Sequence, residues 1–285
     1  MKIGILDFGE IDTHSNAIET IHHTIANAVL AEEKGFTRYW LTEHYLSGIA
    51  WRNPEPVITL IAASTETIKV GAAGVLVPLH APYRIAQDFK LLSNLFPDRI
   101  DLGFAKGTID QKATEEISNQ QLLTDFFEKI KKTQLFLMNK MEHVQVSPPS
   151  SIVPDLWMLG TSSSSVDFAT EQKMNFSLSL FHNLDGALPS PHILSAFKEK
   201  FIRKNGYEPQ VNIAVSVFCT EDNRRMEEER RTRKNVLLNI DGGAGECMQK
   251  IEMFANRYQV DELMVLNLGK DHVEKQALIE TLLTA

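Results

Sequence analysis

Eight short apolar runs recur along the chain, at 2–7, 37–41, 68–77, 100–104, 155–159, 175–180, 211–219 and 262–267, and each is followed by a stretch of helical character. The apolar residues are close-set within the runs and fall into the 3.6-residue period between them, which predicts strands alternating with helices, two of the helices falling between the last two strands. The helices read as 16–34, 54–64 after a candidate cap at Asn53, 82–95, 122–139, 164–173, 192–204, 222–235 and 245–258, with a last one from about 272. Alternation of this kind over 285 residues predicts an α/β fold, one (β/α)8 TIM barrel filling a single domain at 1–285, since that fold takes roughly 250 residues. The competing arrangement is a doubly wound open sheet. It calls for a glycine fingerprint after the first strand, which LDFGEID does not provide.

A formal net charge of −8 argues against nucleic acid as a partner. The most basic stretch, RRMEEERRTRK at 224–234, interleaves glutamates so that Glu227 meets Arg231 and Glu229 meets Arg233 at i, i+4, the pattern of a solvated helix face. No apolar run reaches membrane-spanning length. The first strand begins at once, without the apolar core of a signal peptide, so the expected location is the cytoplasm. Cys219 and Cys247 form neither a disulfide framework nor a metal-ligand pattern, and no three-ligand cluster is readable. The stretch VQVSPPSSIVP at 144–154 reads as a loop. DGGAGE at 241–246 lacks the Lys-Ser/Thr of a phosphate loop and a preceding strand, and reads as a helix entrance.

In a parallel barrel the catalytic groups collect past the C-terminal ends of the strands. His44 lies there, after Glu43, where an imidazole can exchange protons near neutral pH; taken alone it reads more readily as a structural histidine than as a catalyst. Ala72, Ala73 and Gly74 strip side chains from one strand end, which suits either a flat ligand or tight packing. Gly160 to Ser165 opens a helix with free amides and hydroxyls, suited to an anion or to capping alone. Lys106 offers a positive charge at the end of the fourth strand. His22, His23, His143 and His272 read as surface residues, and Phe8, Tyr45, Leu180 and Phe181 as candidates for an apolar pocket.

Five segments together resemble the bacterial luciferase-like flavin-dependent monooxygenase family: EKGFTRYWLTEHY at 33–45, IKVGAAGVLVP at 68–78, LFPDRIDLGFAKG at 95–107, LWMLGTSSSSVDFA at 156–169 and VDELMV at 260–265. The resemblance implies a barrel that binds reduced FMN and reacts it with O2 to a flavin C4a-hydroperoxide, which oxygenates a small organic substrate. It also implies a separate NAD(P)H:flavin reductase, and a homodimer formed through the helices at 54–64 and 82–95. His44 matches the histidine implicated in proton transfer. Ala73 and Gly74 match a small pair joined by a non-prolyl cis peptide beneath the isoalloxazine. Lys106 stands where relatives usually carry an arginine on the FMN phosphate, keeping the charge and losing the bidentate fork. Thr161, Ser162 and Ser165 match the phosphate-binding loop. No metal is implied.

Tyr45 stands where luciferases often have a second histidine, and Ala105 replaces a cysteine found in some. The region from Glu221 to Asp261, between the seventh and eighth expected strands, is shorter than in many relatives, where a lid covers the flavin. Two alternatives stay open: a deazaflavin-dependent oxidoreductase on the same barrel, and a non-catalytic flavin-binding barrel.

Overall fold

The computed structural model describes residues 1–107, 116–117 and 125–284. Its strands are β1 (Lys2–Asp7), β2 (Arg38–Leu41), β3 (Lys69–Leu76), β4 (Ile100–Ala105), β5 (Asp155–Leu159), β6 (Asn175–Ser179), β7 (Val211–Cys219), β8 (Ile240–Gly242) and β9 (Glu262–Asn267). The helices described are α1 (Ala17–Glu33), α2 (Glu55–Ser64), α3 (Pro82–Leu95), α4 (Phe126–Leu137), α5 (Ser163–Glu171), α6 (His192–Asn205), α7 (Asn223–Thr232), α8 (Ala244–Tyr258) and α9 (His272–Leu282). The expected start of a helix at Leu122 lies outside the described residues.

All the strand pairs are parallel, and β6 pairs with β7 while β9 returns to β1, so eight strands close into a TIM barrel. The ninth, β8, was not expected. It lies against the last three residues of β7, with Val217 opposite Ile240 and Cys219 opposite Gly242. DGGAGE does open helix α8, but a strand precedes it after all. The Asn53 cap is not made: α2 starts from Pro54 with no side-chain cap bond. Helix α7 is capped by Asp222, whose carboxylate accepts from the amides of Arg224 and Arg225, and it ends at Thr232, short of the expected Asn235.

Two layers of apolar residues follow from the strand alternation. Residues such as Ile3, Tyr39, Val70, Leu102 and Phe176 face outward and pack under the helices. Leu6, Trp40, Trp157, Ala214, Phe218, Met264 and Leu266 fill the inside. At the N-terminal end of the barrel the filling is ionic. Arg38 is 4 % exposed and Asp101 0 %. Arg38 Nη1 donates to Asp101 at 2.5 Å and its Nε to Glu262 at 2.8 Å. The indoles of Trp40 and Trp157 donate to the same Asp101 carboxylate at 2.8 and 3.1 Å. Burial alone would lower the Arg38 pKa; Asp101 and Glu262 more than offset it and hold the group above its ordinary value. Gly71 makes room for this layer, because a Cβ there would stand 2.2 Å from the Asp101 carbonyl oxygen.

Removing one partner of a buried pair leaves an uncompensated charge. Asp101→Ala is expected to cost about 3–5 kcal/mol of stability in a denaturant titration. A loss under about 1 kcal/mol, the range of an exposed pair, would overturn the structural role given to this layer.

Candidate active site

Strand register gathers the candidates on the C-terminal face. Leu41 of β2 pairs with Ala72 of β3, and the same register continued sets Thr42 and Glu43, the two residues before His44, opposite Ala73 and Gly74. Phe104 of β4 pairs with Met158 of β5, and the same register continued sets Lys106 opposite Gly160, at the entrance to the serine turn. Between Ala72 and Val75 strand β3 carries one more residue than β4, and this bulge holds Ala73 and Gly74. Their connecting peptide bond is cis, as the resemblance implies.

A Cβ on Gly74 would meet Leu159 Cδ1 at 2.4 Å and the Gly103 carbonyl oxygen at 2.6 Å. The packing of β4 and β5 therefore demands glycine there. Ala73 is half-buried and packs with the inner apolar cluster, so its methyl belongs to the barrel mouth.

His44 is part-buried, with its ring edge-on to Phe8 at a centroid distance of 4.6 Å. Burial first and the neighbouring His182 second lower its pKa to about 4, against the upward pull of Glu43. The imidazole is neutral at neutral pH. Its Nε2 is buried and has no hydrogen-bond partner among the described residues, which leaves it available for proton exchange.

Glu43 is the anchor of this strand end. It is 1 % exposed and accepts from the Leu76 amide at 2.8 Å and pairs with His80 Nε2 at 2.7 Å. Burial, followed by the charge of Glu43, raises the Tyr45 pKa. Burial pulls the His80 pKa down, but Glu43 outweighs it and the net shift is upward. Lys129 of α4 donates to the carbonyls of Pro78 at 2.8 Å and His80 at 3.3 Å, which fixes the turn after β3. None of this was legible in the sequence, because Glu43, His80 and Lys129 are far apart along the chain.

At the end of β5, Thr161, Ser162, Ser163 and Ser164 are exposed and Ser165 is buried. Ser162 caps α5: its hydroxyl accepts from the Ser165 amide at 3.2 Å and lies 3.0 Å from the Ser165 hydroxyl. Ser165 in turn packs on Gly160, where a Cβ would come within 2.6 Å of its Oγ. The amides of Ser163 and Ser164 have no partner among the described residues. Lys106 is exposed and has no ion pair among them either. This end of the site thus presents a cation, two hydroxyls and two free amides at a helix N-terminus, the donor set of an anion site.

A cleft of about 480 Å³ opens beside the mouth, lined by Leu184, Arg230, Arg233, Lys234, Val236, Leu237, Leu238 and Asp241. Residues 224–234 are therefore more than a solvated face. Glu229 is fully buried, paired with Arg233 and, at 3.0 Å, with Lys270. Arg225 pairs with Glu228 and Glu274, and the expected Glu227–Arg231 pair is not among the ion pairs found. His23 and His272 also depart from the surface reading. Their rings stack at 4.0 Å, and His23 pairs with Asp12 at 2.7 Å. Leu180 packs in the outer layer under the helices, whereas Phe181, one residue on, joins the inner cluster with Phe8. Among the described residues no His, Cys, Asp or Glu cluster is placed to hold a metal ion, and no helix is long and apolar enough to cross a membrane.

Residues 1–263 match the family model described as luciferase-like monooxygenase. The chain belongs to that family. It is similar to the uncharacterized protein YwcH of Bacillus subtilis (strain 168), 29 % identical over 96 % of each chain. Among solved structures it is similar to apo-MsnO8, with a TM-score of 0.85 at 21 % identity over 99 % of this chain and 97 % of that one. The FMN complex of the oxygenating constituent of 3,6-diketocamphane monooxygenase from Pseudomonas putida superimposes with a TM-score of 0.74 at 16 % identity over 99 % and 96 %. An F420-dependent secondary alcohol dehydrogenase has the same fold, with a TM-score of 0.64 at 12 % identity over 98 % and 97 %. Of these last two neighbours, one is a complex with FMN and the other is F420-dependent.

The His44 shift has a consequence for stability. Its pKa falls from an ordinary 6.5 to about 4 on folding, so between those values the unfolded chain binds the extra proton. The stability tied to this group is complete above the upper value and is lost as pH falls toward the lower one. His44→Gln should flatten the rise of stability with pH across that window, by up to about 1.4 kcal/mol per pH unit for one proton. Parallel stability curves for variant and wild type would contradict the assigned environment.

Proposed function

We propose that this chain is the oxygenating component of a two-component flavin monooxygenase of the cytoplasm. It takes reduced FMN from a separate NAD(P)H:flavin reductase and uses O2 to oxygenate a small organic substrate. The observation that carries the reading is His44, a neutral imidazole whose buried Nε2 lacks a partner, at a mouth where the adjacent strand end is reduced to Ala73 and Gly74. A flat, redox-active ring with exchangeable protons fits that setting, and a phosphate fits the donor set at the far end of the same face.

Reduced FMN, when bound, supplies the two electrons with which O2 delivers one oxygen atom to substrate and the other to water. The residues do the rest. Ala73 and Gly74 let the ring approach the backbone. Lys106, Thr161, Ser162 and the amides of Ser163 and Ser164 take the phosphate, and Ser165 braces Ser162 from below. His44 exchanges the proton that oxygen transfer requires, and its neutral state lets it accept one at neutral pH. Phe8 and Phe181, with ring centroids 5.7 Å apart, keep water from the reacting atoms.

The test mixes the protein with photoreduced FMN without oxygen, then adds air in a stopped-flow spectrometer. Flavin oxidation slower than that of free reduced FMN, with an added spectral phase that is altered in His44→Ala, is the expected result. NADH alone should leave bound FMN oxidised. Oxidation indistinguishable from free flavin by a folded protein would overturn the reading in favour of the deazaflavin enzyme or the non-catalytic barrel.

The working unit is proposed to be a homodimer. Helices α2 and α3 expose Leu60, Leu91 and Leu95, at 49 %, 50 % and 57 %, and their apolar stripe suits a second copy of this chain. Light scattering should return the dimer mass, and Leu91→Glu should lower it; a monomeric wild type would overturn the assembly.

A further inference from the structure

We propose that Cys219 and Cys247 form a peroxide-sensitive dithiol that closes to an intramolecular disulfide. The two are distant in sequence and meet around one backbone group. Cys219 ends β7 and pairs with Gly242 of β8. The Gly242 carbonyl accepts from the Thr220 amide at 2.9 Å and from the Cys247 thiol at 3.4 Å. Both cysteines also pack in the same outer apolar layer, Cys247 within it and Cys219 against it. Thus strand β7, the short β8 and the first turns of α8 converge on one sulfur pair, which the flavin site does not use.

The pair is chemically unequal. Cys219 is part-exposed and Cys247 fully buried. The Cys247 S–H, and after it the Thr281 hydroxyl, stabilise a thiolate at Cys219 and lower its pKa, against burial and Glu221. The same contact, together with burial, pushes the Cys247 thiol up. Cys219 is therefore the nucleophile that an oxidant reaches, and Cys247 is the resolving thiol.

The chemistry balances with hydrogen peroxide as the oxidant. The Cys219 thiolate attacks one peroxide oxygen; the O–O bond breaks, sulfenic acid forms and hydroxide leaves. The Cys247 sulfur then attacks the Cys219 sulfur; the S–O bond breaks, the disulfide forms, and the thiol proton leaves with the hydroxyl group as water. One peroxide is reduced to two waters and two thiols are oxidised. Peroxide is also what an uncoupled flavin oxygenase releases, so the dithiol sits where such leakage would be sensed. The sulfur chemistry itself does not depend on the proposed function. In a reducing compartment the bond would be transient, as redox-sensing disulfides are.

The test uses the reduced full chain without flavin and added hydrogen peroxide, read by intact mass and thiol titration. The expected result is loss of both thiols and of about 2 Da from the monomer, reversed by dithiothreitol. In Cys247→Ala, Cys219 should stop at the sulfenic acid, a gain of about 16 Da trapped by dimedone. In Cys219→Ala, Cys247 should stay unmodified. Survival of both thiols, a disulfide between two chains, or over-oxidation of Cys219 with Cys247 still free would each overturn the proposal. The wild-type mass alone decides the matter if a variant fails to fold.

Discussion

The buried pair of Arg38 with Asp101 and Glu262 is the constraint around which the barrel is arranged. Its groups come from β2, β4 and β9, and the two indoles from β2 and β5 add their N–H donors to the same carboxylate. Arg38 also lies 4.8 Å from the ring centroid of Trp157, a cation–π contact. A charge taken out of water is tolerated only when every polar atom around it is answered. A slip of one residue in any of these strands would point the partner outward and leave the charge unanswered. The layer thus fixes register as well as stability, and register is what carries His44, Ala73, Gly74, Lys106 and the serine turn to the opposite face.

The two ends of the barrel consequently differ in kind. The base is ionic, satisfied and closed. The mouth keeps a neutral imidazole, a methyl and a glycine, with the charges set at its rim. Burial explains how His44 stays neutral beside the Glu43 carboxylate. The Glu43 carboxylate is engaged by the Leu76 amide and His80. Its pull on His44 is outweighed by burial and by His182. The pKa of this strand-end histidine is set first by its burial and only then by its charged neighbours.

The sequence made the barrel legible because strand and helix differ in period, and the candidate residues were legible because strand ends are. What escaped it depends on contacts between distant segments. Strand β8 carries Ile-Asp-Gly, with no alternation to betray it, and exists because the end of β7 outruns its other neighbours. Pro54 displaced the Asn53 cap because it can itself begin a helix, its fixed φ and missing N–H costing nothing there. Leu180 was placed in the pocket and belongs to the outer layer, since one residue of parity decides which side of a strand is wet. The ion pair that buries Glu229 involves Lys270, which no helical spacing could connect to it.

The short connection from β7 to β9 bears on how the mouth excludes water. Its irregular stretch after α7 is tied down rather than free. The Leu237 amide donates to the Phe181 carbonyl at 2.9 Å, and the Asn239 side chain donates to the Leu180 carbonyl at 3.1 Å. Val236, Leu237 and Leu238 pack on the inner cluster. A segment held by these hydrogen bonds, by the buried Val236 and by two half-buried leucines gives up those contacts if it swings out, so it serves as a fixed wall. On the proposed function, protection of the reacting atoms would rest, among the described residues, on Phe8, Phe181 and this wall, and the remaining opening would be closed by whatever enters it. An enzyme built this way ties coupling to substrate fit: a substrate that fills the opening displaces the water, and one that leaves space admits it.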